Sequence, residues 1–383
     1  MKYKFMNNQE ILSTFSHQRR HSPRTTVIYE RTIRKFEEWS GMKFYTLFEI
    51  AQKEQLENVQ WINSTLRPIL LEYRAYLYDK YSVRTAEGYH TKLMTILRHF
   101  EIVIPPLPYF SLKNARRPDP IYPEDLPDRD ILTKVLTISN PLMKAAILLM
   151  SSSGIGRIDT LNLTIGDYLE ATQEYHHCNN ILDAIVEMQK MDNDIIPEWH
   201  LERQKTGEKY FTFSSPESTR AINAYIWSRE ERLYNDGRLF KVEPRYFNTL
   251  FQKANDMLRL GRKNNRSRFT PQSLRQYHAT QLAASGMSGE YINMLEGRKN
   301  THVLYKSYVR ISPEVLREQY INALPYLVVE EIEKVRTELD IVKDENEKLQ
   351  QENLEYQDNL NNIWTELHNI KTRQDAWEQL KKE

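Results

Sequence analysis

The 383-residue sequence contains one cysteine, Cys178. A single thiol forms no internal disulfide and builds no thiolate metal cluster, so disulfide-stapled and zinc-finger classes drop out. No run approaches the roughly 18 apolar residues of a membrane span. The opening MKYKFMNNQE lacks the apolar stretch of a signal peptide. The sequence also lacks a G-x-x-x-x-G-K-[ST] phosphate loop and a paired-carboxylate metal box. The expectation is a cytoplasmic protein with no membrane partner, no metal and no cofactor.

What is present is 40% hydrophobic and 27% charged residues, enough apolar material for a packed core. The length allows two or three domains. The net charge of +1 hides an asymmetry. Residues 326–383 carry 8 Lys+Arg against 15 Asp+Glu, net −7; residues 1–325 carry the remaining 45 and 37, net +8. A basic body with an acidic tail fits a polyanion-binding body and a separate interaction segment. On charge alone, an ordinary body with a solvated helix fits as well.

Seven of the 16 prolines fall between Pro105 and Pro127. Proline lacks the backbone donor and restricts the residue before it, so this stretch predicts an extended interdomain linker over 105–127. Residues 1–104 read as a small all-helical domain. Ser22-Pro23 starts a helix that stops at Gly41, and Leu66–Tyr78 and Thr85–Phe100 read as two more. Beyond the linker, Leu132–Ser153 reads as helices. EWHLERQ and YFTFSS flank Lys-Thr-Gly-Glu-Lys as a hairpin with its turn at Gly207. Ser215-Pro216 and Thr270-Pro271 cap two further helices. The expected fold is mainly α with a small antiparallel hairpin or sheet, with a second domain over 128–325.

The tail, 330–380, carries heptads. Position a is Ile332, Leu339, Asn346, Asn353, Leu360, Leu367 and Gln374; position d is Val335, Val342, Leu349, Tyr356, Ile363, Ile370 and Trp377. This regularity predicts a coiled coil, with the two asparagines restricting register and favouring two strands. An intramolecular hairpin, or a helix laid on the body, is the alternative.

Four separated segments carry the candidate chemistry. They are Ser153–Leu163 with Arg157 and Asp159, the hairpin turn with Lys205, Thr270–Arg275 with Gln272 and Arg275, and Leu295-Glu296-Gly297-Arg298. Tyr308 follows Arg298 by ten residues in Tyr305-Lys306-Ser307-Tyr308-Val309-Arg310. Together these resemble the catalytic domain of the tyrosine recombinases, the phage-integrase family, over about residues 10–325. The details look most like integrases of archaeal viruses and proviruses. Aligned on Leu161-Asn162-Leu163, Arg157 stands one place later than the arginine of common bacterial members, and Asp159 falls where their glutamate stands. Gly297-Arg298 with Tyr308 ten residues on matches the archaeal spacing. Gln272 departs from the family's His-x-x-Arg or Lys-x-x-Arg box, and glutamine donates hydrogen bonds but does not titrate. His278 sits three residues after Arg275 on one helical face, where the family's pattern has a phenylalanine. It reads as core, with a catalytic part as the alternative.

The resemblance implies a two-domain clamp on double-stranded DNA and a site-specific recombinase or integrase. Arg157, Arg275 and Arg298 would hold the nonbridging oxygens of the scissile phosphate, because guanidinium stays charged and offers a planar fork of donors. Tyr308 would be the nucleophile, with Tyr305 as its competitor, and Lys205 the general acid for the leaving 5′ oxygen. Asp159 would orient Arg157 or join the acid/base cluster. No metal or ATP is implied. Candidate DNA contacts are Arg19, Arg20 and Arg24, then Lys113, Arg116 and Arg117, then Arg262, Lys263 and Arg266 with their neighbours. A nucleoid-associated protein, dimeric through the coiled coil and tetrameric on DNA, is expected. The rival readings are a type IB topoisomerase-like relaxing enzyme and a catalytically weak architectural DNA-binding protein.

Overall fold

The computed structural model describes residues 7–113, 117–191, 194–204, 207–298 and 312–330, and in the tail 341, 342, 345, 348–357, 359, 360 and 363. Lys205, Arg116, Tyr305 and Tyr308 lie outside the described residues, as do most heptad positions. The chain divides into two compact units, Met1–Pro120 and Ile121–Glu383.

The first unit is a bundle of five α-helices: α1 Asn8–Gln18, α2 Pro23–Ser40, α3 Phe44–Leu56, α4 Leu66–Lys80 and α5 Val83–His99. Ser22 caps α2 by accepting from the Thr25 N–H, with Pro23 at the first helical position, where its missing donor costs nothing. The core is aromatic. Phe15, Phe36, Phe44, Phe48, Tyr73 and Phe100 are all almost completely buried, and their rings meet edge-on or tilted, the arrangement aromatic quadrupoles prefer.

The proline-rich stretch is not free along its length. Ile102 is buried in the first unit, and Ile104 and Leu107 pack against the same core. Two arginines of α4 hold the chain beyond them: Arg67 Nε donates to Pro106 O at 3.2 Å and Arg74 Nη2 to Pro108 O at 2.9 Å. Prolines remove donors but leave carbonyl acceptors, and arginine donors take them. At its other end, Pro123–Asp125 forms a 3-10 turn within the second unit. There Arg268 donates to Asp125 O and Glu124 O, and Lys263 pairs with the Asp125 carboxylate at 3.2 Å.

The second unit contains α6 Arg129–Ile138, α7 Pro141–Ser153, α8 Arg157–Asn162, α9 Ile165–Ala171, α10 Ile181–Met188, the strands β1 Glu198–Glu202 and β2 Lys209–Phe213, α11 Pro216–Trp227 and α12 Pro244–Met257. A two-residue hairpin follows, β3 Arg262–Lys263 with β4 Arg266–Ser267, then α13 Pro271–Ala284, α14 Gly289–Leu295 and α15 Pro313–Leu327. The mainly helical class with small antiparallel hairpins holds. β1 and β2 pair with Trp199 opposite Thr212 and Leu201 opposite Tyr210.

α7 is the central element. Ala145 through Ser153 is buried without a break, as expected for a helix that is apolar all round. It packs on α11 and α13. Its last turn ends in three buried serines, whose hydroxyls bond back to carbonyls one turn earlier, Ser152 Oγ to Leu148 O at 2.7 Å and Ser153 Oγ to Leu149 O at 2.6 Å. The carbonyls freed at the helix end are then taken across the fold. Thr212 Oγ1 of β2 donates to Ser153 O at 2.8 Å, and Tyr320 of α15 donates to Ser152 O at 2.9 Å. The end of α7, from which the next segment departs, is thus pinned from two sides.

α15 docks through Leu316, Tyr320, Leu324 and Leu327 onto Phe213, Leu282 and Leu295. Val328 and Val329 are buried beyond it, and the Glu217 carboxylate accepts the N–H groups of Val329 and Glu330. The packed chain therefore runs to residue 330, past the expected limit at 325. Among the described residues, no helix is long and apolar enough to cross a membrane.

Candidate active site

Four chain segments converge at the end of α7. Gly154 closes that helix in the left-handed region at φ 66°. Ile155 follows, and α8 begins at Arg157. α13 begins at Pro271 behind a Thr270 cap that accepts from the Ser273 N–H, with Ser273 reciprocating, so the first turn carrying Gln272 is locked. One open cleft of about 420 Å³ is lined by Gly156, Arg157, Asn248, Arg266, Thr270, Gln272 and Arg275, with Ser267 and Pro271. Three of its nine lining residues are arginines and none is acidic. Such a lining is suited to an anion, and the forward end of α13 adds its positive dipole end.

The structure brings Arg157, Gln272 and Arg275 together in this cleft, along with Arg266. Arg157 is half-buried, and its Nη1 donates to Asn248 Oδ1 on α12 at 2.7 Å. Asp159 does not take the expected part of orienting Arg157. Its Oδ1 accepts the Gln204 N–H at 3.2 Å, tying α8 to the turn of the β1–β2 hairpin instead. The i, i+2 spacing on α8 sends the two side chains to different faces, which is why Asn248 holds the arginine.

Arg275 is the most enclosed of the arginines, its side chain 5% exposed. Nη1 donates to Gly154 O at 2.8 Å, Nη2 donates to Glu296 O, and Nε lies 3.3 Å from Glu296 Oε2. Burial lowers its pKa against the opposing pull of Glu296, and Arg203 and Arg298 add to the lowering. Arg298 is 41% exposed and pairs with the same carboxylate oxygen at 2.5 Å. His278 is fully buried, and its Nδ1–H donates to Glu296 Oε1 at 3.2 Å. It stands in the layer behind the cleft, among the core residues.

The hairpin carrying Lys205 is positioned from both sides. Besides the Asp159 contact, Arg203 Nη1 donates to Gly297 O at 2.9 Å. The ring of Tyr210 in β2 stands against Gly297. A Cβ on that glycine would stand 2.6 Å from the Tyr210 ring, and its φ is 60°. Tyr210 is 8% exposed. Burial, with Asp159 adding to it, pushes its phenol well above the usual tyrosine range. Glu296, Arg203, Asn248 and Tyr210 were not singled out in the sequence. Their roles come from contacts between distant segments that no local pattern announces.

The candidate DNA contacts scatter. Arg20, Arg24, Lys113, Arg117 and Arg262 are exposed. Arg19 lies over the Phe15 ring, with its Nε donating to His99 Nδ1 at 3.3 Å. Lys263 is engaged with Asp125 and lies over Tyr122, so its charge is largely neutralised. Among the described residues of this set, Arg266 lines the cleft. Among the described residues, no group of three or more His, Cys, Asp or Glu side chains could hold a metal ion.

No protein-family model matches this sequence, and no curated protein matches it. Among solved structures, the chain is similar to the XerH site-specific recombinase bound to palindromic difH substrate in a post-cleavage complex. Identity is 13%, over 78% of this chain and 80% of that one, with a TM-score of 0.48. It is also similar to the Tn1549 transposon integrase in complex with transposon right-end DNA, at 14% identity over 82% and 98% and a TM-score of 0.48. The integrase from mycobacterium phage Brujita matches at 14% identity over 85% and 95%, with a TM-score of 0.33.

Proposed function

We propose that this protein is a site-specific DNA recombinase that cleaves and rejoins strands through a 3′-phosphotyrosyl intermediate. The observation that carries the reading is the convergence of Arg157 with Gln272 and Arg275, which lie in a helix more than a hundred residues further on, on one acid-free cleft. Arg157 and Arg275 neutralise the nonbridging oxygens of a scissile phosphate, Gln272 donates a further hydrogen bond, and Arg298 joins through its link to Arg275. Tyr308 Oη attacks phosphorus, its proton passing to solvent as the bond from phosphorus to the 5′ oxygen breaks. The 5′ oxygen departs with a proton from Lys205, and the phosphate stays on tyrosine with its ester energy conserved. A 5′-hydroxyl from the partner strand then attacks and frees the tyrosine. The shifted Arg157 and the Gly297-Arg298…Tyr308 spacing favour the archaeal-virus type of integrase. The first unit serves as the second jaw of a DNA clamp, and the protein works on DNA in the cytoplasm.

The test is incubation with supercoiled DNA carrying candidate attachment sequence, in EDTA, with a denaturant-stable protein–DNA adduct as the readout. The expected result is an adduct with wild type and with Tyr305→Phe, and none with Tyr308→Phe. An adduct lost in Tyr305→Phe instead moves the nucleophile. DNA binding with no adduct, on a nicked trapping substrate as well, supports the architectural reading. Relaxation without exchange between two DNA molecules supports a topoisomerase-like enzyme.

The tail pairs protomers. Its described residues are helical, and Val342, Leu349, Tyr356, Leu360 and Ile363, all at a or d positions, are exposed. Removing residues 331–383 leaves the Glu217 contacts to Val329 and Glu330 in place. That truncation is expected to lower the oligomeric state in sedimentation equilibrium and to impair pairing of two DNA sites. An unchanged oligomeric state with full recombination removes the idea.

A further inference from the structure

The residue that binds the cationic side chains of this site into one arrangement is an acid, Glu296. Its carboxylate has no exposure, and three positively charged or chargeable groups close on it: Arg275 Nε at 3.3 Å, Arg298 Nη2 at 2.5 Å and His278 Nδ1 at 3.2 Å. Its own carbonyl accepts from Arg275 Nη2. The next carbonyl, of Gly297, accepts from Arg203. The turn after α14 therefore gathers two arginines on one carboxylate and a third on the next carbonyl.

We infer that Glu296 is the positioning residue of the cleft, setting the guanidinium of Arg275 and coupling it to Arg298. The inference rests on the cleft being the phosphate site proposed above. Guanidinium carries five N–H groups in a rigid fork. In Arg275, Nε faces Glu296 Oε2, one N–H of Nη1 goes to Gly154 O and one of Nη2 to Glu296 O. Among the described residues each terminal nitrogen keeps one N–H, and Arg275 lines the cleft. Donors on a planar fork match phosphate oxygens. The carboxylate does this in three ways. It orients the plane from the side away from the cleft. It compensates the burial of a cation that is 5% exposed. It also reduces repulsion between Arg275, Arg203 and Arg298, which would otherwise spread them. Among the described residues, Arg298, 41% exposed, is held through its 2.5 Å contact with Glu296.

The test is Glu296→Gln in the full-length protein, with two readouts. The first is the arginine side-chain Nε–Hε NMR spectrum, assigned by Arg275→Lys and Arg298→Lys. The signals of both arginines are expected to move in Glu296→Gln, and the Arg275 signal to move in Arg298→Gln as well, through the shared carboxylate. The second is single-turnover adduct formation on a nicked substrate, expected to fall about 10- to 100-fold, the scale of an ångström-sized misplacement. Retention of the same DNA in a gel shift at fixed salt is expected to change less than about threefold, because most affinity comes from phosphate contacts elsewhere. A merely structural role would lower adduct formation and DNA retention together and would leave the arginine signals uncoupled. Arginine signals unmoved in Glu296→Gln overturn the inference. If Glu296→Gln does not fold, Arg298→Gln decides, and an unmoved Arg275 signal there overturns it. If wild type forms no adduct, the recombinase reading fails, and the NMR arm still decides whether Glu296 positions the arginines.

Discussion

Replacing Arg275 by alanine is expected to lower the adduct-forming rate by about two to three orders of magnitude, the effect of removing one preorganised donor from a developing oxyanion. It is also expected to destabilise the second unit by about 3–5 kcal/mol, because a buried carboxylate loses a partner. Both effects come from one side chain. Arg275 stands between Gly154 O and Glu296 on the protein side and the cleft on the other. Arg275→Lys separates them. A lysine restores a positive charge next to Glu296 but not the fork, so thermal stability should recover more than rate does. A lysine variant within about threefold of wild-type rate would show that charge alone suffices and that the planar geometry is irrelevant. An alanine variant that melts like wild type would show that Glu296 does not need Arg275.

The second large effect is expected at Gly154, which closes α7 and whose carbonyl accepts from Arg275. Its φ is 66°, and a Cβ there would stand 2.4 Å from Nδ1 of the buried His278 ring and 2.7 Å from its Cε1. Gly154→Ala therefore combines roughly 1–2 kcal/mol of left-handed backbone cost with roughly 1–3 kcal/mol of overpacking. It also pushes His278 off Glu296, with the arginines beyond. Gly41 is the internal control, since it ends α2 at φ 67° with nothing within 4 Å of a built Cβ. Gly41→Ala should cost only the backbone share. In thermal unfolding, Gly154→Ala is expected to lose at least twice as much as Gly41→Ala. The double variant Gly154→Ala with His278→Ala should be less than additive, because the ring that clashes is gone. Equal losses at the two glycines, or full additivity, would mean that the ring gives way freely.

How much of this was legible beforehand varied with the range of the interaction. The helix starts at Pro23, Pro216 and Pro271 were legible because a cap acts within one turn. The β1–β2 hairpin was legible from two β-prone segments around Gly207. The expected linker over 105–127 was legible only in part. Its prolines exclude regular structure, but that Arg67 and Arg74 take the carbonyls of Pro106 and Pro108 is a meeting of residues more than thirty positions apart. Asp159 was expected to orient Arg157 or to join the acid/base cluster. The turn of α8 sends it to Gln204, and Asn248, ninety-one residues from Arg157, takes its place.

The sequence by itself determined the helical class, the hairpin and the heptad pattern of the tail. Periodicity, capping and charge are properties of neighbouring residues and need no partner. Only the tertiary structure decided which cations share a cleft and what holds them there. Arg157, Arg266 and Arg275 are brought to one surface by the packing of α7, α12 and α13. Glu296 acquires its weight only once burial removes it from water, because a carboxylate in solvent orients nothing. Inside the fold, with no exposure and three charged or chargeable groups within 3.3 Å, it is costly to leave unpaired, and that cost fixes the side chains around it.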